Sequence, residues 1–266
     1  MEWIQIENRT LTTAFVAIFL ALAVWESWQP RRALTEPTAR RWVYHGVLYA
    51  VTVILYALAV RTSPVLVALA VEAKPWGLLN REWIPWPARF AAGILVLDLV
   101  HYATHRLFHT FGALWRIHEV HHSDVDYDVS TAVRFHPVEV AATSAIYLAV
   151  IALMAPPAVA VFTAELHTTV VNLLSHANVS LPWPVERAVR LVLITPDLHR
   201  IHHSTDIVDQ NRNFGQSLVW WDRLLGTYSG QTRSRQGKFS TGLAGLPAGT
   251  YGAIADLFLA PFRRRP

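Results

Sequence analysis

The stretch PVEVAATSAIYLAVIALMAPPAVAVFTAELHTTVVNLLSHANV, residues 137–179, contains two long apolar segments separated by Pro156 and Pro157. Each segment approaches the length of about 20 apolar residues that a transmembrane helix requires. A Pro-Pro pair cannot continue a helix, so it ends the first helix before the second begins. The stretch therefore predicts a helical hairpin within a membrane.

Three segments that precede the hairpin are also long and apolar enough to be predicted as spans, namely residues 11–28, 42–60 and 88–108. The first follows Glu2 and Glu7 rather than a basic segment, which predicts an anchor and not a cleaved signal. The shorter apolar segment 64–73 is predicted to lie in the interface or to re-enter. The predicted fold class is an all-α integral membrane protein with about four to five transmembrane helices and a cytoplasmic, helical, histidine-rich metal-binding domain.

The composition agrees with a membrane protein. Of the 266 residues, 53% are hydrophobic and only 16% are charged, which is more apolar than an ordinary soluble domain. The chain has no Cys, and this excludes disulfides, thiolate metal sites and iron–sulfur clusters. The net charge of +4 comes from scattered Lys and Arg residues, so no nucleic-acid partner is predicted.

Basic residues orient the predicted spans. Four of them lie between the first two spans and eleven follow residue 179, which places both segments on the cytoplasmic side by the positive-inside rule. The four are Arg31, Arg32, Arg40 and Arg41. With five spans, the histidine-bearing ends of the third and fifth spans are predicted to meet on that same side.

Histidines are the second signal in the sequence. Twelve of the 13 lie between residues 101 and 203, and three motifs, HYATH, HEVHH and HRIHH, have helical spacing. Residues three and four apart share one face of a helix, so each motif can present two or three imidazoles to a metal. An HxxHH triple is expected by chance only about 0.03 times in such a chain. The eight motif histidines are His101, His105, His118, His121, His122, His199, His202 and His203.

Eight imidazoles exceed the needs of one tetrahedral zinc ion, so two neighbouring metals are predicted. Imidazole suits zinc, copper, iron and nickel alike, and the ligand type does not choose among them. A metal site at the mouth of a membrane bundle favours iron, because the C–H bonds of an apolar substrate require oxygen activation.

The other histidines are assigned separately. His45 and His167 are predicted to be ordinary interfacial or core residues. His109 continues the spacing of the HYATH motif, and the sequence leaves open whether it caps the helix or binds metal. His136 precedes Pro137, which predicts an extended residue at a helix start.

Three aspartates are candidate partners for the second ring nitrogen of a metal-bound histidine. Asp98 stands one helical turn before His101, Asp124 follows the first triple, and Asp197 precedes the second. For Asp197, plain helix capping is an equal alternative. Thr195 and Pro196 are predicted to start the helix that bears the second triple.

The motifs DLVHYATHRLFH, LWRIHEVHHSD, STAVRFHP, NLLSHANV and TPDLHRIHHS resemble the fatty acid hydroxylase and sterol desaturase superfamily of membrane-bound non-haem di-iron oxygenases. The resemblance covers about residues 88–230. It implies that the eight motif histidines hold two iron ions, with zinc as the alternative metal. It also carries over His176 as a ligand, and Asn172 stands where the family commonly has a further histidine.

The resemblance implies that the protein hydroxylates or desaturates a lipid, either a sterol, a fatty acyl group or an ether lipid, using O2 and external electrons. The chain contains no electron-transfer module that the sequence reveals, so a ferredoxin, a cytochrome b5-like protein or a reductase is the expected partner. The segment HHSDVDYDVSTAVR is similar to the alkylglycerol monooxygenase branch, which makes ether-lipid cleavage with tetrahydrobiopterin one alternative. A zinc-dependent membrane hydrolase is the other.

The sequence also predicts a division of the chain into three regions and a cellular location. Residues 1–87 are expected to form membrane anchor helices, residues 88–230 the catalytic domain, and residues 231–266 an amphipathic and basic tail. The expected location is the bacterial inner membrane, with the active site on the cytoplasmic side.

Overall fold

Helices form nearly all of the regular structure. The structure, a computed structural model, describes residues 2–233, 239–245 and 251–263. Within these residues there are twelve α-helices and no β-strand, which confirms the predicted all-α class. They are α1 (Glu2–Trp28), α2 (Thr38–Val60), α3 (Pro64–Glu72), α4 (Trp86–Thr110), α5 (Gly112–His122), α6 (Pro137–Met154), α7 (Ala158–His176), α8 (Trp183–Val189), α9 (Pro196–His202), α10 (Ile207–Gln210), α11 (Trp220–Leu224) and α12 (Ile254–Leu259).

The predicted hairpin is formed by α6 and α7. Helix α6 ends at Met154, and Ala155 then adopts a left-handed conformation with φ of 46°. Pro157 precedes the first turn of α7. The two prolines thus end one long apolar helix and start the next, as their inability to continue a helix requires.

Four segments of the described chain are long and apolar enough to cross a membrane. They are Gln5–Trp28, Thr38–Glu72, Pro137–Met154 and Ala158–His176. The predicted third span, 88–108, does form a helix, α4, but it is not among these four. Its second half carries Asp98, Arg106 and several histidines, which lower its hydropathy. The prediction of an integral membrane protein with about four to five spans is confirmed.

The short helix α3 is packed inside the bundle. Val65 and Ala68 are fully buried in one cluster with Leu97 of α4, Ile151 of α6 and Val161 of α7. Its first turn is capped by Ser63, and the hydroxyl of that residue also donates a hydrogen bond to Glu7 at 2.7 Å. The segment therefore packs within the helical bundle, and its predicted location in the interface or as a re-entrant segment stays a prediction.

Helices α4 and α7 approach each other closely near Gly93. A Cβ atom at this position would lie 2.9 Å from the Cβ of Pro156 and 3.1 Å from that of Ala160. Such distances are shorter than van der Waals contact, so only glycine fits without movement. The close approach helps to bring the C-terminal halves of α4 and α7, which carry histidines, to the same side of the bundle.

One end of the bundle collects the polar elements. The chain after α1 meets the chain after α7, where the amide of Arg31 donates to the carbonyl of Asn178 at 2.7 Å. The start of α2 is joined to the loop after α5 by an ion pair between Arg41 and Asp124 at 2.6 Å. Helices α5 and α9 lie at this end, and so do the last turns of α4 and α7.

The described part of the C-terminal region packs against α5 and α2. Leu257 of α12 is fully buried with Leu48 and Val120, and the hydroxyl of Tyr251 donates to Glu119 at 2.7 Å. The basic end predicted for this tail includes Arg264 and Arg265, which lie outside the described residues. The division of the chain at residues 87 and 230 stays a prediction.

Candidate metal centre

Eight histidines from four helices, together with His203 directly after α9, form two compact groups. Within each group, one ligand atom from every residue lies within 4.8 Å of the corresponding atoms of the others. The first group, called group A, contains His105, His109, His118, His122 and His202. The second, called group B, contains His121, His176, His199 and His203. The groups adjoin each other, since the rings of His122 and His203 are stacked with centroids 4.4 Å apart.

Local structure explains how few residues supply so many imidazoles. Helix α5 presents His118, His121 and His122 within its last two turns, as the HEVHH spacing predicted. Helix α9 begins at the predicted cap: the hydroxyl oxygen of Thr195 accepts from the amide of Leu198 at 3.4 Å, and Pro196 is the first helical residue. These short helices divide their histidines between the two groups.

Ring nitrogens in both groups have no hydrogen-bond partner within the described chain although they are buried. A buried polar atom without a partner costs free energy of folding unless a ligand binds it. They are the Nε2 atoms of His105, His109, His118, His202 and His203, the Nδ1 atoms of His121 and His199, and both nitrogens of His122. In group B, the Nε2 of His176 lies 3.2 Å from that of His121 and 3.1 Å from that of His199. Two nitrogens so close suit one shared cation, because metal–imidazole bonds measure about 2.0–2.1 Å for zinc. The residues therefore fit a metal.

The electrostatics favour the same role. Burial lowers the pKa of His202 to about 3, with the neighbouring His118 as a further cause. Burial and neighbouring imidazoles also hold the pKa of His122 and of His203 well below the usual range. These rings are neutral at physiological pH, and neutral imidazole is the form that binds metals.

Several imidazoles are oriented by hydrogen bonds from their second nitrogen. The Nδ1 atoms of His105, His176 and His202 each donate to a backbone carbonyl at 2.8 Å, those of Phe214, Asn172 and Arg212. His118 is held by a side chain instead, since its Nδ1 lies 2.6 Å from Oε1 of Glu139. Such bonds fix the tautomer and direct the remaining nitrogen at the metal.

Sequence reasoning did not select Glu139. It lies in the first turn of the apolar helix α6 and is only 5% exposed. An ionisable residue within an apolar span is a signal of function in its own right, and that signal could have identified it.

The three aspartates proposed for this role have other partners. Asp98 accepts hydrogen bonds from Ser217 and from the indole of Trp221. Asp124 is paired with Arg41 and lies 3.3 Å from His45. Asp197 lies 3.2 Å from Arg200 and 3.5 Å from Arg31. These carboxylates join helices and loops to one another.

His109 lies in a histidine group, whereas His101 does not. His101 is in neither group, and its ring stacks on Tyr147 with centroids 4.9 Å apart. His109, one turn beyond His105, belongs to group A, and its ring centroid lies 4.6 Å from that of His202. His101 and His109 are each four residues from His105. Spacing alone therefore does not decide which of them lies beside the other histidines, and the position of α4 along its axis does.

Two neighbouring cavities border the histidines. The smaller, of about 180 Å³, is lined by group members and by Glu139, Thr143 and Asn172. We call it the metal-side cavity. The larger, of about 840 Å³, lies between α1, α2, α3, α6 and α7, and we call it the membrane chamber. The two share His101, Phe135, Val140, Thr143 and Asn172. Asn172 thus lies where the spaces meet, and its backbone carbonyl orients His176.

These features are those of an integral membrane protein with two adjoining groups of imidazoles that could hold metal, beside a large cavity between its helices. Comparison with known proteins is consistent with this class. The fatty acid hydroxylase family model matches residues 90–227. The chain is 31% identical over 264 residues to an ornithine lipid hydroxylase of Rhizobium tropici, which covers 96% of this chain and 74% of the relative.

Two other relatives match shorter regions. The human alkylglycerol monooxygenase is 31% identical over 163 residues, which is 58% of this chain and 33% of the relative. The C-4 methylsterol oxidase erg25 of Schizosaccharomyces pombe is 30% identical over 141 residues, or 49% of this chain and 43% of the relative. No solved structure matches the chain significantly.

The chain belongs to the fatty acid hydroxylase family. The prediction of a membrane oxidoreductase that acts on lipids is confirmed at this level. The family and the histidine groups together indicate a non-haem iron centre.

Proposed function

We propose that the protein is a di-iron membrane oxygenase that hydroxylates a lipid with O2 and two external electrons. Group A would hold one iron and group B the other, so His109 replaces His101 in the ligand set expected from the sequence. The supporting observation is the pair of compact histidine groups, in which many buried ring nitrogens have no hydrogen-bond partner within the described residues. Bound iron supplies the redox chemistry that activates O2 toward a C–H bond.

The side chains around the groups prepare this chemistry. Glu139 and three backbone carbonyls fix four of the imidazoles, so little rearrangement is needed when metal binds. Phe108 and Phe135 line the metal-side cavity and help to exclude water from it. The membrane chamber offers apolar walls such as Leu11, Phe15 and Leu148 for the hydrocarbon part of a lipid.

The side of the membrane and the electron donor also belong to this proposal. Arg31, Arg32 and Arg40 are exposed beside the histidine end, which supports a cytoplasmic site in a bacterial inner membrane. The absence of Cys from the sequence means that the chain cannot carry an iron–sulfur cluster. Electrons would therefore come from a separate ferredoxin, cytochrome b5-like protein or reductase.

Ether-lipid cleavage is a second candidate. Its support is the 31% identity to the human alkylglycerol monooxygenase over 163 residues. Tetrahydrobiopterin would then be the reductant. Turnover of an alkylglycerol that requires the pterin would favour this candidate, and turnover with a ferredoxin system alone would favour the first. A zinc hydrolase has less support, because both groups consist of imidazoles only.

The decisive experiment supplies purified, iron-loaded protein with membrane lipids, reductant and ¹⁸O2. We expect a lipid product that gains one labelled oxygen atom. The matched variants are His121→Ala, which removes a member of group B, and His167→Gln, which changes a histidine outside both groups. Labelled product from His121→Ala at the unaltered rate, or no labelled product from the unaltered protein, would refute the proposal.

A further inference from the structure

Two segments that follow α7 form one exposed surface that is rich in apolar side chains. The segments are 183–193, which contains α8, and 219–225, which contains α11. They are joined by the indole of Trp220, which donates to the carbonyl of Leu191 at 3.2 Å. Their exposed apolar members, which we call the apolar patch, are Trp183, Val185, Leu191, Val192, Trp220 and Leu224.

The side chains of the apolar patch lie open to the surroundings of the described chain. Trp183 is 64% exposed and Leu224 is 74% exposed. A group of exposed apolar side chains on one surface indicates contact with a partner or with a membrane. The packing of the described residues therefore leaves this patch to be covered by something else.

The charged residues of the same two segments are sorted by sign. Both acidic residues, Glu186 and Asp222, are buried. Glu186 is paired with Arg190 at 2.6 Å. The charges that the two segments present outward belong to Arg187 and Arg223, which are exposed. The rim of the apolar patch is therefore positive.

Contacts beneath the apolar patch determine its depth relative to the membrane-spanning helices. Val219 and Ile194 pack on Val171, which lies five residues before the end of α7. A helix of 19 residues is about 28 Å long, close to the hydrocarbon thickness of about 30 Å, so its last turns lie near the level of the head groups. The indole of Trp221 donates to Asp98 of α4 at 2.7 Å, which holds α11 against the bundle.

The interfacial layer of a bilayer fits these three observations together. Trp side chains are enriched at the level of the head groups, apolar side chains enter the acyl boundary below them, and basic residues attract anionic lipids. Self-association through the same patch would bring the arginines of two copies close to one another, which like-charge repulsion opposes. The position, the composition and the charge of the patch therefore favour lipid over a second copy of the chain.

We propose that the apolar patch is a membrane-contact surface additional to the spans. It inserts Trp183, Trp220 and Leu224 into the interfacial layer of the leaflet on the histidine side, and Arg187 and Arg223 attract the anionic lipids of that leaflet. This inference goes beyond the proposed function and does not depend on it, because the patch contains no histidine and its contact with lipid requires no iron.

The surface that bears the patch is joined to the metal centre through α9. The hydroxyl of Thr195, which caps that helix, donates to Glu186 of α8 at 2.6 Å. Leu198 of α9 is buried in one cluster with Val219. Contact between the patch and the bilayer therefore holds the histidines of α9 at a constant depth relative to the membrane surface.

The sequence allows a direct test because it contains no Cys. A single introduced cysteine therefore carries the only nitroxide spin label on the protein. The whole chain is labelled at Leu224→Cys or at Trp220→Cys and placed in nanodiscs of phosphatidylcholine and phosphatidylglycerol. Two collision rates of the label are measured, one with O2, which dissolves in the bilayer, and one with a water-soluble nickel chelate.

Two further positions calibrate the measurement. Asn211→Cys labels an exposed polar residue directly after α10, and Ile54→Cys labels an exposed apolar residue within the span of α2. We expect the ratio of the O2 rate to the nickel rate at both patch positions to lie severalfold above the ratio at Asn211, toward that at Ile54. Patch labels with the ratio found at Asn211 would overturn the inference. Low rates with both reagents, together with dipolar coupling between labels on two chains, would also overturn it, because a second copy would then cover the patch.

The arginines are tested by the lipid composition. For the label at Leu224, the collision ratio should be higher with phosphatidylglycerol than in phosphatidylcholine alone, and Arg187→Gln should reduce that difference. Arg81→Gln is the matched control, because it removes an exposed arginine before α4, outside both segments of the patch. An equal ratio in the two lipid compositions, or the same reduction from Arg81→Gln, would overturn the role of the arginines.

Discussion

The histidine groups and the aspartates that follow the HEVHH motif bury polar side chains in opposite ways. In groups A and B, many buried ring nitrogens have no hydrogen-bond partner within the described chain. In the segment 124–128, every aspartate is paired: Asp124 and Asp128 with Arg41, and Asp126 with the amides of Thr35 and Glu36.

This difference distinguishes the histidine groups, which are suited to bind a ligand, from the aspartate segment, which connects parts of the fold. A buried ring nitrogen without a partner is unfavourable in free energy until a cation binds it, so group A and group B are prepared for metal. A buried ion pair is already satisfied, and it holds α2 against the loop after α5. Two motifs that adjoin in sequence thus have separate roles, and four experiments test that separation.

Loss of a histidine should have the largest effect. His121→Ala removes a member of group B and His202→Ala a member of group A. Each should lower activity by more than about 100-fold, because even the outer partners of metal ligands contribute about 10–100-fold. Metal analysis of purified protein should show less bound iron. His167→Gln is the control, and full iron content in either alanine variant would contradict the assignment of its group.

Loss of Arg41 should affect stability rather than iron binding. Arg41→Ala leaves the buried carboxylates of Asp124 and Asp128 without their cation, which should cost about 3–5 kcal/mol of unfolding free energy. Arg41→Lys should cost less, since it keeps the charge and loses the bidentate geometry. Thermal unfolding in detergent measures the effect. If the folded Arg41→Ala protein bound iron more weakly, the aspartate segment would belong to the metal site after all.

Loss of the Glu139 carboxylate, which contacts His118, should have an intermediate effect on iron binding. Glu139→Gln weakens the hydrogen bond that orients this imidazole and should lower iron affinity about 10–100-fold. Asp126→Asn is the matched control, because Asp126 is hydrogen-bonded to residues 35 and 36. Competition with a chelator of known affinity measures the iron affinity of each variant. Equal iron affinity in Glu139→Gln and the unaltered protein would show that the orienting bond is unimportant.

The smallest effect is expected at His101. His101→Phe keeps a ring against Tyr147 and removes no member of either group, so iron content should not change. His109→Phe removes a member of group A and should lower the iron content. The reverse result, with iron lost only from His101→Phe, would restore the ligand set expected from the sequence.

Much of the site could be predicted because helical spacing is a local property. The HEVHH and HRIHH triples each present a histidine face once their segments are helical, and the cap at Thr195 starts the second of these helices. The position of His109 inside group A and of His101 outside both groups could not be predicted in this way, since both are four residues from His105. It depends on how far α4 extends toward α5 and α9.

Apolar length, helical periodicity and residue type determined the class of this protein from the sequence alone: a helical membrane protein with imidazole metal ligands and no thiol chemistry. These properties depend only on residues that are close together in the sequence. The partition of nine histidines into two groups and the pairing of Glu139 with His118 were decided only by the tertiary structure. The reason is physical, because each depends on the burial and relative position of helices that are distant in the chain.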